Sequence, residues 1–136
     1  MDLQILEIAS DTQNHKVIKD YTHKSKHKNP LCGDEMEISL IVKDNVVQDV
    51  GYQCRSCVYC QASVSMLSSW VIHLSVDKIS EFISKSDFFF NLKPEIVKKN
   101  IKEEWKDFKK IMNLKNISRK ECLLLPFKTL AKALKI

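Results

Sequence analysis

No uninterrupted apolar run among the 136 residues approaches the roughly 20 that a membrane-spanning helix needs. The opening stretch, Met1 to Glu7, carries acids at Asp2 and Glu7 and lacks the basic start and apolar core of a secretory signal. There is no basic stripe interleaved with aromatics, which removes the usual footprint of a nucleic-acid partner. Internal repeats and linker-like stretches are also missing. These absences leave a cytoplasmic protein as the expectation, neither membrane-bound nor bound to nucleic acid. One domain over residues 1–136 is expected, with residues 1–16 a helical or flexible extension. The hydrophobic fraction of 44% and charged fraction of 29% are ordinary for a globular chain. The net charge of +5 is carried almost wholly by scattered lysines, which reads as a solvated surface and also suits an acidic protein partner. Five cysteines in a reducing compartment read as metal-binding or catalytic before they read as disulfides.

Hydrophobic periodicity predicts the elements. Leu3, Ile5, Leu6, Ile8 and Ala9 fit a short amphipathic helix ended by Ser10-Asp11. From Asp11 to Lys28 the chain is polar; Val17, Ile18 and Tyr21 offer a short edge strand or a packed segment. His15, His23 and His27 have no metal-ligand spacing relative to the cysteines and are expected in solvent. Glu35 to Lys43 alternates, with Met36, Ile38, Leu40 and Val42 on one face, as a half-buried strand does. Asp44-Asn45 signals a turn, and Val46 to Gln53 returns as the second arm of a hairpin. Val58 to His73 is free of Gly and Pro, with Val58, Ala62, Met66 and Trp70 at helical spacing. Asp77 is expected to cap a short helix, and Ser86 to Asn91 is an aromatic break. Pro94 suits a first helical turn, and Val97, Ile101, Trp105, Phe108 and Met112 mark one face of a long helix. A loop over 113–118 precedes a last helix over 120–136. The fold class expected is α+β: a small antiparallel sheet of about three strands packed on one face by helices.

Two cysteine stretches carry the chemistry. In Asn29-Pro30-Leu31-Cys32-Gly33-Asp34 the Asn-Pro pair favours a turn, and Gly33 permits a left-handed backbone beside the thiol. In Cys54-Arg55-Ser56-Cys57 the chain passes from a strand into a helix, so Cys57 stands near a helix N-terminus, where the dipole favours a thiolate. The hairpin brings the ends of both stretches to one edge. Cys122 opens the apolar run of the last helix. Cys54 and Cys60 admit two readings: small buried fillers, or an extra ligand or sulfur-relay thiol spaced to share a metal. A ferredoxin-type cluster would need a fourth cysteine where Val64 stands.

These motifs resemble the U-type iron–sulfur cluster assembly scaffolds, comprising IscU, SufU and the N-terminal domain of NifU. The family's Asn-Pro-x-Cys-Gly-Asp stands as Asn29 to Asp34. Its second motif, an aromatic, Gly-x-Gly-Cys and a small-residue helix start, lies on Tyr52, Cys54 to Cys57 and Cys60 to Met66, with both glycines replaced. Its Arg-x-x-Cys matches Arg119 to Cys122. The likeness runs over roughly residues 17–136, and the long separation of Cys57 from Cys122 is closer to the SufU branch. Leu-Pro-Pro-Val-Lys, by which IscU-type scaffolds engage a chaperone, is missing, and Glu121 replaces the histidine before the third cysteine.

The resemblance implies that Cys32, Asp34, Cys57 and Cys122 hold a transient [2Fe–2S] cluster that passes to recipient apo-proteins, the sulfur coming from a cysteine desulfurase. The chain would be a monomer or weak homodimer acting as a non-enzymatic scaffold. The alternative it implies is a SufU-like sulfurtransferase role, in which the same four residues bind zinc and Cys122 accepts persulfide sulfur. Two rivals remain. A permanent structural zinc module would favour four thiols over Asp34, and a dithiol oxidoreductase on Cys54 and Cys57 lacks the surrounding βαβ pattern.

Overall fold

The computed structural model describes residues 3–30 and 33–136. Its architecture is α+β. Strands β1 (His23–Lys28), β2 (Glu35–Lys43) and β3 (Val46–Arg55) form an antiparallel sheet in the order β1-β2-β3. The register pairs Ile38 with Tyr52 and Leu40 with Val50, and slips at Ile41/Val42. Met36, Ile38, Leu40, Val50 and Tyr52 are buried on the inner face, as the alternation in β2 requires. Asp44 and Asn45 both take positive φ, which closes the hairpin with the handedness its twist favours.

Helices α2 (Val58–Val71) and α5 (Lys120–Leu134) pack against each other and against the sheet. α2 buries Cys60, Ala62, Ser63, Val64, Ser65, Leu67, Ser68 and Val71. Small side chains let neighbours approach it closely on several sides. Helix α1 (Leu3–Ala9) lies on α2 with Ile5 fully buried. Helix α3 (Val76–Ser84) places Phe82 at the centre of an aromatic core, 4.4 Å from Trp70, 4.7 Å from Phe108, 5.1 Å from Trp105 and 5.3 Å from Phe127. No helix among the described residues is long and apolar enough to cross a membrane.

Five expectations are corrected. The first strand is His23–Lys28 rather than the Val17–Tyr21 region: Ile18 packs down, while Val17 and Tyr21 are exposed. His23, Ser25 and His27 form the half-buried side of this strand, so these two histidines do not lie fully in solvent. The Ser25 hydroxyl donates to the Thr129 carbonyl in α5. The cap of α3 is Ser75, whose Oγ accepts from the Lys78 amide at 3.2 Å; Asp77 sits in the first turn and accepts from Asn45 Nδ2.

The long helix over 94–112 is two pieces. Helix α4 (Pro94–Asn100) ends at an extended Ile101, and a 3-10 segment follows over Glu103–Lys110. Trp105, Phe108 and Ile111 recur every three residues, which is the 3-10 period, so the apolar spacing fits both structures. The extended Ile101 and Lys102 redirect the chain so that Trp105 and Phe108 reach Phe82. Residues 113–118, expected as a loop, fall largely within another 3-10 segment, Leu114–Arg119.

The N-terminal segment also braces the sheet. The amide of Tyr52 donates to the Asn14 carbonyl, and Asn14 Nδ2 donates to Ser68 Oγ in α2, so residues 14–18 run along the open edge of β3. A Cβ at Gly51 would stand 2.5 Å from the Lys16 carbonyl oxygen and 3.1 Å from Ile18, so only glycine permits this approach.

Candidate functional site

Three local structures meet at one end of the sheet. The first is the connection between β1 and β2. The Asn29 amide donates to the Asp34 carbonyl at 2.8 Å, and the Gly33 amide donates to the Asn29 carbonyl at 2.9 Å. Gly33 has φ of 78°, and a Cβ there would meet nothing within 4 Å. Its glycine is thus required by backbone conformation rather than by crowding. Leu31 and Cys32 lie outside the described residues, so Cys32 enters the site only as an expectation.

The second is the step from β3 into α2. Cys57 is the N-cap of α2, with an extended backbone and no side-chain cap bond. Its amide donates to Asp34 Oδ2 across 3.4 Å, which turns the carboxylate toward the helix start. The third is the first turn of α5, which carries the buried Cys122. The Arg119 guanidinium lies 5.2 Å from the centroid of the Tyr59 ring, joining the start of α5 to the start of α2. Ser63 Oγ donates to the Leu123 carbonyl at 2.6 Å. Pro126, inside α5, withdraws the helical donor that would otherwise serve the Cys122 carbonyl.

The result is a convergence: a carboxylate oxygen of Asp34 and the sulfurs of Cys57 and Cys122 all lie within 4.8 Å of one another. Two thiols and a carboxylate at that separation are within reach of a shared soft metal. Cys54 and Cys60 join no such set of three among the described residues. Cys60 is fully buried, and burial pushes its thiol far above the ordinary range, with Cys54, Cys57 and Asp34 adding to the rise. Burial likewise raises the half-buried Cys54 thiol. The Ser56 hydroxyl makes no well-formed hydrogen bond, yet it stands near enough to both thiols to hold back part of the rise. A raised thiol presents less thiolate, the nucleophilic form, than an ordinary cysteine does. Sequence reasoning did not find the Ser63 tether; the only signal was a small-residue run at the start of α2.

Fold and site together define a small α+β protein that presents thiols and a carboxylate at the junction of a hairpin and two helix starts. The chain belongs to the NifU-like N-terminal domain family, whose sequence model matches residues 2–112, and thus to the iron–sulfur cluster assembly scaffolds. It is 31% identical over 133 residues to the iron–sulfur cluster assembly scaffold protein IscU of Thermotoga maritima, covering 96% of this chain and 89% of the relative. Its fold is similar to the NifU-like N-terminal protein of Brucella abortus, with a TM-score of 0.84 at 20% identity, covering 98% of this chain and 91% of that one. It is also similar to the FiSufU protein of thermophilic Fervidobacterium islandicum AW-1, with a TM-score of 0.76 at 22% identity over 98% and 96% of the two chains. The family match ends before Cys122. What the structure adds for that residue is its position beside Cys57 and Asp34.

Proposed function

We propose that this chain builds a [2Fe–2S] cluster as transient cargo on Cys32, Asp34, Cys57 and Cys122 and hands it to apo-proteins. The observation that carries this reading is the convergence of Asp34, Cys57 and Cys122 within 4.8 Å in a member of a scaffold family. Thiolates suit iron, whereas a carboxylate is a harder and more exchangeable ligand. Three sulfurs and one oxygen hold a cluster less permanently than four sulfurs, which is what delivery demands. A cysteine desulfurase supplies the sulfur, and recipient apo-proteins take the product. The test is anaerobic loading with ferrous iron and sulfide, followed by a chelator challenge. Asp34→Ala is expected to retain its cluster longer than the wild type; faster loss contradicts the role given to the carboxylate.

A second reading is favoured by the tightness of the donor set. Zinc–sulfur bonds of about 2.3 Å give a tetrahedral edge of about 3.8 Å, so donors mutually within 4.8 Å suit one ion well. In that reading zinc organises the same four side chains, and Cys122 accepts sulfur from a desulfurase. Its thiolate attacks the outer sulfur of the desulfurase persulfide; a new S–S bond forms, the desulfurase thiolate departs, and no net oxidation occurs. Loss of desulfurase stimulation in Cys122→Ser supports it, and unchanged stimulation contradicts it.

A further inference from the structure

Between α1, α2 and the 3-10 segment over Glu103–Lys110 lies an open groove of about 530 Å³. Its floor is apolar, formed by Ile8, Met66, Trp70 and Phe108. Phe108 is buried and edge-on to Trp70 at 6.0 Å, while Ile8, Met66 and Trp70 keep part of their surface in solvent. The rim is acidic. Glu7 and Asp11 stand on one side, Glu104 and Asp107 on the other, all exposed, against a single lysine, Lys110. Lys110 lies 3.5 Å from Asp107, and both side chains are more than half exposed, so this pair neutralises little.

This sign is opposite to that of the molecule, whose net charge is +5. An apolar trough flanked by carboxylates on an otherwise basic chain is complementary to one chemistry: an amphipathic segment with an apolar stripe and lysines or arginines along its borders. The groove is also preorganised. Ser65 Oγ donates to the Asp11 carbonyl at 2.7 Å, and Gln13 Nε2 donates to Ser69 Oγ at 3.0 Å. These bonds fix the segment after α1, with Asp11, to α2 on one bank of the groove. The groove lines α2 from Ser65 to Trp70, which lie about 12 to 20 Å of helix rise beyond Cys57 at about 1.5 Å per residue, and no thiol among the described residues lines it.

We infer that this groove is a docking site for a basic amphipathic helix of a partner protein, engaged independently of the thiol and carboxylate site. The probe is a synthetic peptide of about 18 residues with leucines on one helical face and lysines flanking them, paired with a counterpart in which glutamate replaces lysine. Binding is read by peptide anisotropy and by tryptophan emission, to which Trp70 on the groove floor contributes beside the buried Trp105. The lysine peptide is expected to bind at least about tenfold more tightly than the glutamate peptide at low ionic strength, and to weaken as salt rises. The double variant Glu7→Lys, Glu104→Lys, both exposed positions away from the core, is expected to melt like the wild type and to lose that preference. Equal affinity for the two peptides, no binding of the lysine peptide, or a preference that survives charge reversal would each overturn the inference. So would a dimer of the chain alone that the double variant dissolves, because the occupant would then be a second copy.

Discussion

The Ser63 tether makes the most exacting prediction, because one hydrogen bond links the stability of the fold to the geometry of the site. Ser63 is fully buried in α2, and its hydroxyl donates to the carbonyl of Leu123, the neighbour of Cys122. Ser63→Ala removes this bond and little else. A buried hydrogen bond of this kind contributes about 1–2 kcal/mol, which for a chain of this length lowers the melting temperature by about 3–7 °C. Ser84→Ala removes a similar bond, to the Glu81 carbonyl, at an exposed position and is expected to stay within about 0.5 kcal/mol of wild type. The measurement pairs thermal unfolding with metal retention under chelator. Ser63→Ala should melt lower and lose metal faster, since α5 is then held against α2 by less. An unchanged melting temperature would refute the tether. A lower melting temperature with unchanged retention would refute its part in keeping Cys57 and Cys122 together.

Other predictions concern the core, the sheet edge and alkaline pH. Phe82→Ala empties the centre of the aromatic cluster and is expected to cost about 3–5 kcal/mol in urea unfolding. Gly51→Ala drives a Cβ into the Lys16 carbonyl, so residues 14–18 should leave the β3 edge and become the first site of limited proteolysis. Burial first, then Cys54 and Asp11, pushes the Tyr52 phenol from 10.0 up to about 12. Below pH 10 both folded and unfolded chains keep this proton. Between 10 and 12 the unfolded chain releases it while the folded chain does not, so stability falls as pH rises through that window. Tyr52→Phe should flatten this part of the urea-midpoint profile; an identical alkaline slope in both proteins would contradict the assignment.

Much of the scaffold was legible because burial on one face leaves a period-2 imprint, as Met36, Ile38 and Leu40 show. The Asn29–Asp34 loop was legible through its turn chemistry, and Cys57 through the absence of Gly and Pro after it. What escaped was written in weaker signals. Strand β1 reads His-Lys-Ser-Lys-His-Lys, and its order comes from pairing with β2 and cover from α5 rather than from its own hydrophobicity. The break at Ile101 was hidden because spacings of three and four serve a 3-10 segment and an α-helix alike. The crossing of the N-terminal segment at Gly51 leaves no periodic trace. For Cys54 and Cys60, spacing left the packing and extra-ligand readings both open; what a sequence does not display is that Cys60 is fully buried and Cys54 half-buried.

The most direct test of the central claim is the iron, zinc and acid-labile sulfide content of the protein purified without air. Iron and sulfide in near-equal amounts, lost together in Cys57→Ser and Cys122→Ser, are the result predicted for a cluster scaffold. Zinc without sulfide would contradict the cluster reading and move the site to sulfur acceptance, while neither metal would contradict both.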